Sequence, residues 1–239
     1  DVADFEKMYR IINNDPQNEI LWVPAAAVKK IQKARYAEMV LHEMWCVANL
    51  RIKSVEIQGD SAAVRFHNPE SRIQFEHPWP RPMVTKDGHN SAFYLTNAME
   101  LLDEPGEWYH DIESRKIYYY PRKGEKISKV PGIETLVWVE GTIDRPVKHI
   151  RFDNVTFQYT TWMRPSLQGH VPLQAGMYMT DGYKIRPSMI RKNNHKLDNQ
   201  GWLGRPASAV VVKAAQDIDF EKCRFQHLGS TGIDYEWAT

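Results

Sequence analysis

The chain has no run of 18 consecutive apolar residues, so no membrane-spanning helix is expected. An excess of one charge is also missing. Thirty-one Lys and Arg stand against 30 Asp and Glu, for a net charge of +1. That balance argues against a partner held by bulk charge, whether nucleic acid or a membrane surface. Cysteine is scarce, with Cys46 and Cys223 alone, neither in a C-x-x-C pair nor in metal-ligand spacing. Both read as buried thiols, and no metal or cofactor is expected. The motifs G-x-G-x-x-G, G-x-x-x-x-G-K-[ST], G-x-S-x-G and H-E-x-x-H are all missing, which removes nucleotide-binding, hydrolase-triad and zincin readings. The charged opening "DVADFEKMYR" is not a signal peptide, as is also true of a trimmed secreted protein.

Aromatic residues are abundant: eight Trp, eleven Tyr and eight Phe. Such rings fill cores, and in clefts they stack on the apolar C–H face of a pyranose. Helix-like spacing is confined to residues 1–37. There Phe5, Met8, Tyr9 and Ile12 recur at i, i+3, i+4, i+7, and "PAAAVKKIQKA" begins with a Pro suited to a helix start. From Glu38 the period changes to that of short strands. "EMVLHEMWCVANL", "RIKSVEI", "AAVRFHN" and "RIQFEH" are separated by turns, as in an antiparallel sandwich or meander. "EWYHD" and "KIYYYP" read as a hairpin whose Trp108, Tyr109 and Tyr118 to Tyr120 fill a core. Three segments result: a partly helical 1–37, an antiparallel β-rich inserted domain over 38–132, and residues 133–239.

The last segment contains a repeat. "HIRFDNVTFQYTTW" (149–162) returns as "DIDFEKCRFQHLGS" (217–230), matching Ile150 with Ile218, Phe152 with Phe220, Val155 with Cys223 and Phe157 with Phe225. Each pair is 68 residues apart by subtraction (218 − 150, 220 − 152, 223 − 155, 225 − 157). Upstream, "TLVWVEG" corresponds to "SAVVVKA". Inward apolar residues in this pattern suit stacked coils, so the expected fold is mainly β, with right-handed parallel β-helix coils over 133–239. The long excursion 162–206, rich in Pro, Gly and aromatics, reads as a functional loop. At least three repeats are normally needed for a stable solenoid. The chain therefore reads as part of a longer protein, or as one whose open end is covered by oligomerisation.

With "NAMELLDEPGEWYHDIESRKIYYYPRKGE", "HIRFDNVTFQYTTW" and "CRFQHLGSTGIDY" in view, the chain resembles the right-handed parallel β-helix proteins of the pectate-lyase-like superfamily. More narrowly, it resembles their secreted bacterial glycoside hydrolases. The Leu-Asp-Glu-Pro-Gly-Glu-Trp-Tyr run is the most specific part, and the likeness spans about Glu38 to Tyr235. It implies cleavage of glycosidic bonds in a poly- or oligosaccharide, in a secreted, periplasmic or cell-surface setting. A polysaccharide lyase on the same fold, or a noncatalytic glycan-binding or adhesion fragment, stands as the alternative.

Glycoside hydrolysis needs two carboxyl groups flanking the bond. Asp234 and Glu236, two apart in "GIDYE", point to one strand face and are the candidate pair, with His227 as acid/base helper. Around the excursion, Trp162, His170 and Trp202 are candidate sugar-contacting groups, while Gln174 and Arg205 can donate hydrogen bonds to the substrate.

Overall fold

A computed structural model describes residues 4–77, 80–126, 129–174, 176–182, 185–187, 195–197 and 203–236. The chain forms two compact units. The first joins Asp1–Glu125 to Arg164–Gly204; the second joins Lys126–Met163 to Arg205–Thr239.

The first unit is built on a seven-stranded sheet in which every pairing is antiparallel. Its strands are β1 (Tyr9–Arg10), β2 (Asn13–Asp15), β3 (Ile20–Pro24), β4 (Glu38–His42), β5 (Val47–Gln58), β6 (Ser61–Phe66) and β7 (Ala92–Thr96), in the order β1-β7-β4-β5-β6-β3-β2. Alternation writes the core directly. Ala48, Leu50 and Ile52 of β5 and Ala62, Val64 and Phe66 of β6 all turn inward. Each such Leu, Val or Phe contributes roughly 1.5–3 kcal/mol by leaving water. The short α1 (Ala25–Val28), begun at Pro24 and continued as a 3-10 turn to Ile31, adds Val28 and Ile31 to the same core.

Two local expectations fail here. Residues 5–12 form a 3-10 turn, Phe5–Lys7, followed by β1 rather than a helix. Phe5, Tyr9 and Ile12 are exposed and Met8 is only half-buried, so no position of the apparent stripe finds the core, which instead takes Ile11, outside the stripe. Residues 1–37 thus supply three strands of the large sheet, together with α1 and its 3-10 continuation. Most of "RIQFEH" lies in helix α2 (Glu70–Glu76), whose buried positions Glu70, Ser71, Ile73 and Gln74 follow the helical spacing i, i+1, i+3, i+4.

The hairpin β8 (Trp108–Asp111) and β9 (Lys116–Tyr119) forms as expected, but its aromatic content is divided. Tyr109 is buried and stacked on Tyr118 at 6.0 Å, whereas Trp108 is 64% exposed.

The second unit holds β10 (Val137–Glu140), β11 (Val147–Asp153) and β12 (Thr156–Gln158). Between these and their partners the chain enters the first unit through α3 (Arg164–Gln168), β13 (Tyr178–Met179), the paired β14 (Ile185–Pro187) and β15 (His195–Leu197), and β16 (Leu203–Gly204). It returns as β17 (Ser208–Lys213), β18 (Ala215–Glu221), β19 (Arg224–Gln226) and β20 (Thr231–Glu236). Three parallel sheets follow: β10-β17-β20, β11-β18 and β12-β19.

The repeat appears as pairing register. Ile150 lies on Ile218, Phe152 on Phe220 and Phe157 on Phe225. Phe152 and Phe220 stack at 4.9 Å and 12°, and Phe157 and Phe225 at 4.8 Å and 15°. Gln226 Nε2 donates to Gln158 Oε1 at 2.8 Å. The corners repeat too, since His149/Asp217, Asn154/Lys222 and Tyr159/His227 all have positive φ, between 51° and 62°. A side chain in that region costs roughly 1–2 kcal/mol, which the surrounding pairing must offset.

The expected fold class nevertheless needs correction. The dominant sheet is antiparallel, and parallel pairing is confined to three sheets of three, two and two strands. Among the described residues, no right-handed parallel β-helix solenoid is shown. A local repeat of two copies specifies how those copies pair, but not a continuing stack of coils.

Candidate functional site

Strand β17 reads Ser-Ala-Val-Val-Val-Lys and is central in its sheet, between β10 and β20. Its β-branched run is what a strand covered on both faces calls for. Register then sets the two faces. Val137, Val139, Val210, Val212 and Ile233 belong to the apolar cluster on one side. On the other side, register produces two cross-strand rows, Trp138–Val211–Asp234 and Glu140–Lys213–Glu236.

The first row places an aromatic plane and a carboxylate either side of a buried valine. Trp138 is 59% exposed, Val211 is buried, and the Asp234 side chain is only 17% exposed. Arg205 Nη1 donates to Asp234 Oδ1 at 2.5 Å. Because Arg205 lies just before β17 and Asp234 in the middle of β20, this ion pair ties the strand's approach to its neighbour. The second row alternates acid, base, acid. Lys213 Nζ sits 3.0 Å from Glu140 Oε1. The hydrogen bond and charge of Glu140 raise the Lys213 pKa, and Glu236 adds to the effect through space.

Asp234 and Glu236 share one face as the two-residue period requires, with Cα atoms roughly 7 Å apart. Arg205, expected as a substrate hydrogen-bond donor, instead has Asp234 as its partner.

The other expected residues lie elsewhere. The His227 ring stacks on Tyr159 at 5.4 Å and 7°, at the corner following β19. Lys129 Nζ lies over the other member of that stack, 4.8 Å from the Tyr159 centroid. Trp162 is half-buried where the first repeat copy ends. Its backbone closes on Gly229, where an added Cβ would meet Thr161 C at 2.3 Å and Trp162 N at 2.6 Å. His170 and Gln174 belong to the first unit and line one groove with Trp45. Trp202 lies outside the described residues. Among the described residues, no group of three or more His, Cys, Asp and Glu converges to hold a metal.

Trp138, Glu140 and Lys213 were not singled out in the sequence. The signal was present in "TLVWVEG", where strict alternation sets Trp138 and Glu140 opposite Val137 and Val139. Trp45 was hidden differently. "EMVLHEMWCVANL" reads as one apolar stretch, but Glu43 N–H bonds Cys46 O at 2.9 Å, closing a turn that lifts Trp45 to a hairpin tip.

Residues 1–122 match the GH141 insertion domain family. A solved structure of a glycoside hydrolase is similar at a TM-score of 0.89 and 70% identity, over 98% of this chain and 41% of that one. This chain therefore spans less than half the length of that protein. A comparison with curated proteins gives no match. These findings overturn the resemblance to the pectate-lyase-like superfamily: the likeness is to a glycoside hydrolase and its insertion domain, and the match starts at residue 1 rather than near Glu38.

Proposed function

Since this chain belongs to the GH141 insertion domain family and is glycoside hydrolase-like, we propose that it takes part in cleaving glycosidic bonds of a poly- or oligosaccharide, with Asp234 and Glu236 as the carboxyl pair. The observation that carries this reading is the row Trp138–Val211–Asp234, with Glu236 one step further along the same face. An exposed indole offers a flat apolar surface for the C–H face of a sugar ring. A carboxyl group two strands away then reaches the hydroxyls or the glycosidic oxygen of the same sugar. One carboxyl protonates the leaving oxygen, and the other either activates water or attacks the anomeric carbon. Arg205 is a positioning residue, because it grips Asp234 and fixes its orientation. A polysaccharide substrate favours a secreted, periplasmic or cell-surface setting, which is proposed with it.

One observation favours a second reading, a glycan-binding face without chemistry. Asp234 has Arg205 as a cationic partner and Glu140 has Lys213, an arrangement equally suited to holding hydroxyls. Turnover by the full-length gene product on a panel of glycans separates the two. Hydrolysis predicts that Asp234→Asn lowers kcat by roughly a hundredfold or more. Unchanged turnover in Asp234→Asn, with glycan binding lost in Trp138→Ala, would establish the binding face instead.

A further inference from the structure

A groove lies wholly within the first unit, between the hairpin tip that joins β4 to β5 and the segment from His170 to Met177. Two backbone hydrogen bonds clamp that segment to β5: Asn49 N–H to His170 O at 2.9 Å, and His170 N–H to Asn49 O at 2.7 Å. A second pair shapes its turn, Met177 N–H to Gln174 O at 3.0 Å and Leu173 N–H to Met177 O at 2.9 Å. The space enclosed, about 320 Å³, is bounded by Trp45, Cys46, His170, Leu173, Gln174 and Met177 among others. That volume is at the small end of ligand pockets, enough for one or two rings rather than a folded peptide.

Trp45 gives the groove its character. It is 49% exposed, yet its indole N–H donates to Leu173 O at 3.3 Å. A large aromatic that is open to solvent and also tethered at its polar edge offers a fixed flat face at little further entropic cost. Around it, among the described residues, the side chains that bound the groove include no Asp, Glu, Lys or Arg. Gln174 supplies both a donor and an acceptor. Burial, reinforced by the nearby Arg164 charge, lowers the His170 pKa to about 4, so the imidazole is neutral near pH 7. Beneath, Cys46 Sγ lies 3.5 Å from Glu43 Oε2, and Gln74 Nε2 holds the other Glu43 oxygen at 2.5 Å.

An aromatic plane with uncharged hydroxyl-matching groups and no lining charge fits an uncharged ring that is apolar on its faces and hydroxylated at its edge. We infer that this groove is a sugar-binding subsite for a neutral pyranose unit, with Trp45 as stacking platform and Gln174 as hydroxyl partner. The inference rests on the carbohydrate reading above and extends it to a unit that contains neither Asp234 nor Glu236. Acidic sugars such as uronates are disfavoured, because among the described residues the lining side chains include no Lys or Arg to offset their desolvation.

The test uses this chain on an array of neutral and uronate-containing glycans, with Trp45→Ala, Gln174→Ala and Asp234→Asn in parallel and circular dichroism melting as a fold control. Neutral glycans are expected to bind, with affinity about tenfold lower in Trp45→Ala, a few-fold lower in Gln174→Ala, and unchanged melting. Trp45→Phe, which keeps a ring, is expected to restore part of the loss. An array on which no neutral glycan distinguishes the parent from Trp45→Ala overturns the subsite. So does preferential binding of uronates. Loss of turnover in Asp234→Asn together with a silent Trp45→Ala sinks this inference alone, while the reverse pattern sinks the hydrolytic reading alone.

Discussion

The two units treat like residues in opposite ways. In the first, half of the neighbouring strand pairs in the large sheet are hairpins, and unlike side chains meet across its strands, such as Leu50 opposite Met39 and Val64 opposite Leu21. In the second, strands that pair are far apart in sequence, and like meets like: Phe on Phe, Ile on Ile, Gln on Gln. Carboxylates divide as well. The first unit buries Glu38, Glu43 and Glu70. In the second, no Asp or Glu among the described residues is buried, and Asp234 on the candidate face is the one with a strongly shielded side chain in an ion pair. An antiparallel sheet with a varied core has room to satisfy polar groups beneath it. A stack of two like copies has its identity written into ladders instead.

The largest expected effect breaks the first unit's buried charge. Glu70, 1% exposed, accepts from Arg51 Nε at 2.7 Å and Nη2 at 2.8 Å, while Arg51 Nη1 also reaches Leu167 O at 2.5 Å. Arg51→Met leaves that carboxylate without its cation and is expected to cost about 3–5 kcal/mol in denaturant unfolding, with the loss confined to probes in the first unit. A cost under about 1 kcal/mol would mean that Glu70 takes up a proton or finds another donor.

The next strikes a ladder. Phe220 touches Phe152, Phe157 and Phe225 at centroid distances of 4.9, 6.3 and 6.2 Å. Phe220→Ala is expected to lose about 3 kcal/mol. Combined with Phe152→Ala, the losses should be clearly less than additive, because the first deletion already empties the second ring's partner. Strict additivity would show that the rings pack independently and the stack is not cooperative.

The smallest net effect is a pH dependence. Burial raises the Glu43 pKa from about 4.5 to about 7, so its folded form holds a proton that the unfolded chain has released. Its contribution to stability therefore falls as pH rises from about 4.5 to about 7. His170, lowered from 6.5 to about 4, acts the other way, and its contribution is lost as pH falls from about 6.5 to about 4. Over the shared window the two oppose each other. Glu43→Gln should match the parent near pH 4 and exceed it above pH 7 by up to about 3 kcal/mol. Melting temperatures from pH 4 to 8 measure this, and identical profiles for variant and parent would remove Glu43 as a titrating group.

Much of the pairing was legible in the sequence. Four apolar positions at one offset foretold the register of β11 with β18 and β12 with β19, because cross-strand stacking needs matched residues at matched steps. The solenoid inferred from them is not shown among the described residues, since two copies carry no information about a third. Residues 70–76 misled because Ile73 and Phe75 alternate like a strand while burial follows Glu70, Ser71, Ile73 and Gln74. At the candidate face, Asp234, Glu236 and Arg205 were each named, but the Arg205–Asp234 pairing was invisible, as 29 residues separate them and only the sheet brings them together. Trp45 stayed hidden because the turn that exposes it is closed by backbone, not by a Gly or Pro that a reader would notice.

The first unit is assembled from two stretches of chain, and this bears on how it could be isolated. Val171 and Met179, from the second stretch, fill the same core as Leu50 and Phe93 from the first. Leu167 O takes one arm of Arg51, and His170 clamps β5. A protein engineer who excised residues 1–122 along the boundaries of the family match would remove those plugs and leave β5 with open backbone groups. A soluble, portable version of the unit requires the stretch from Arg164 to Gly204 to be grafted back through a short linker, in effect a loop-shortened rewiring of the natural chain.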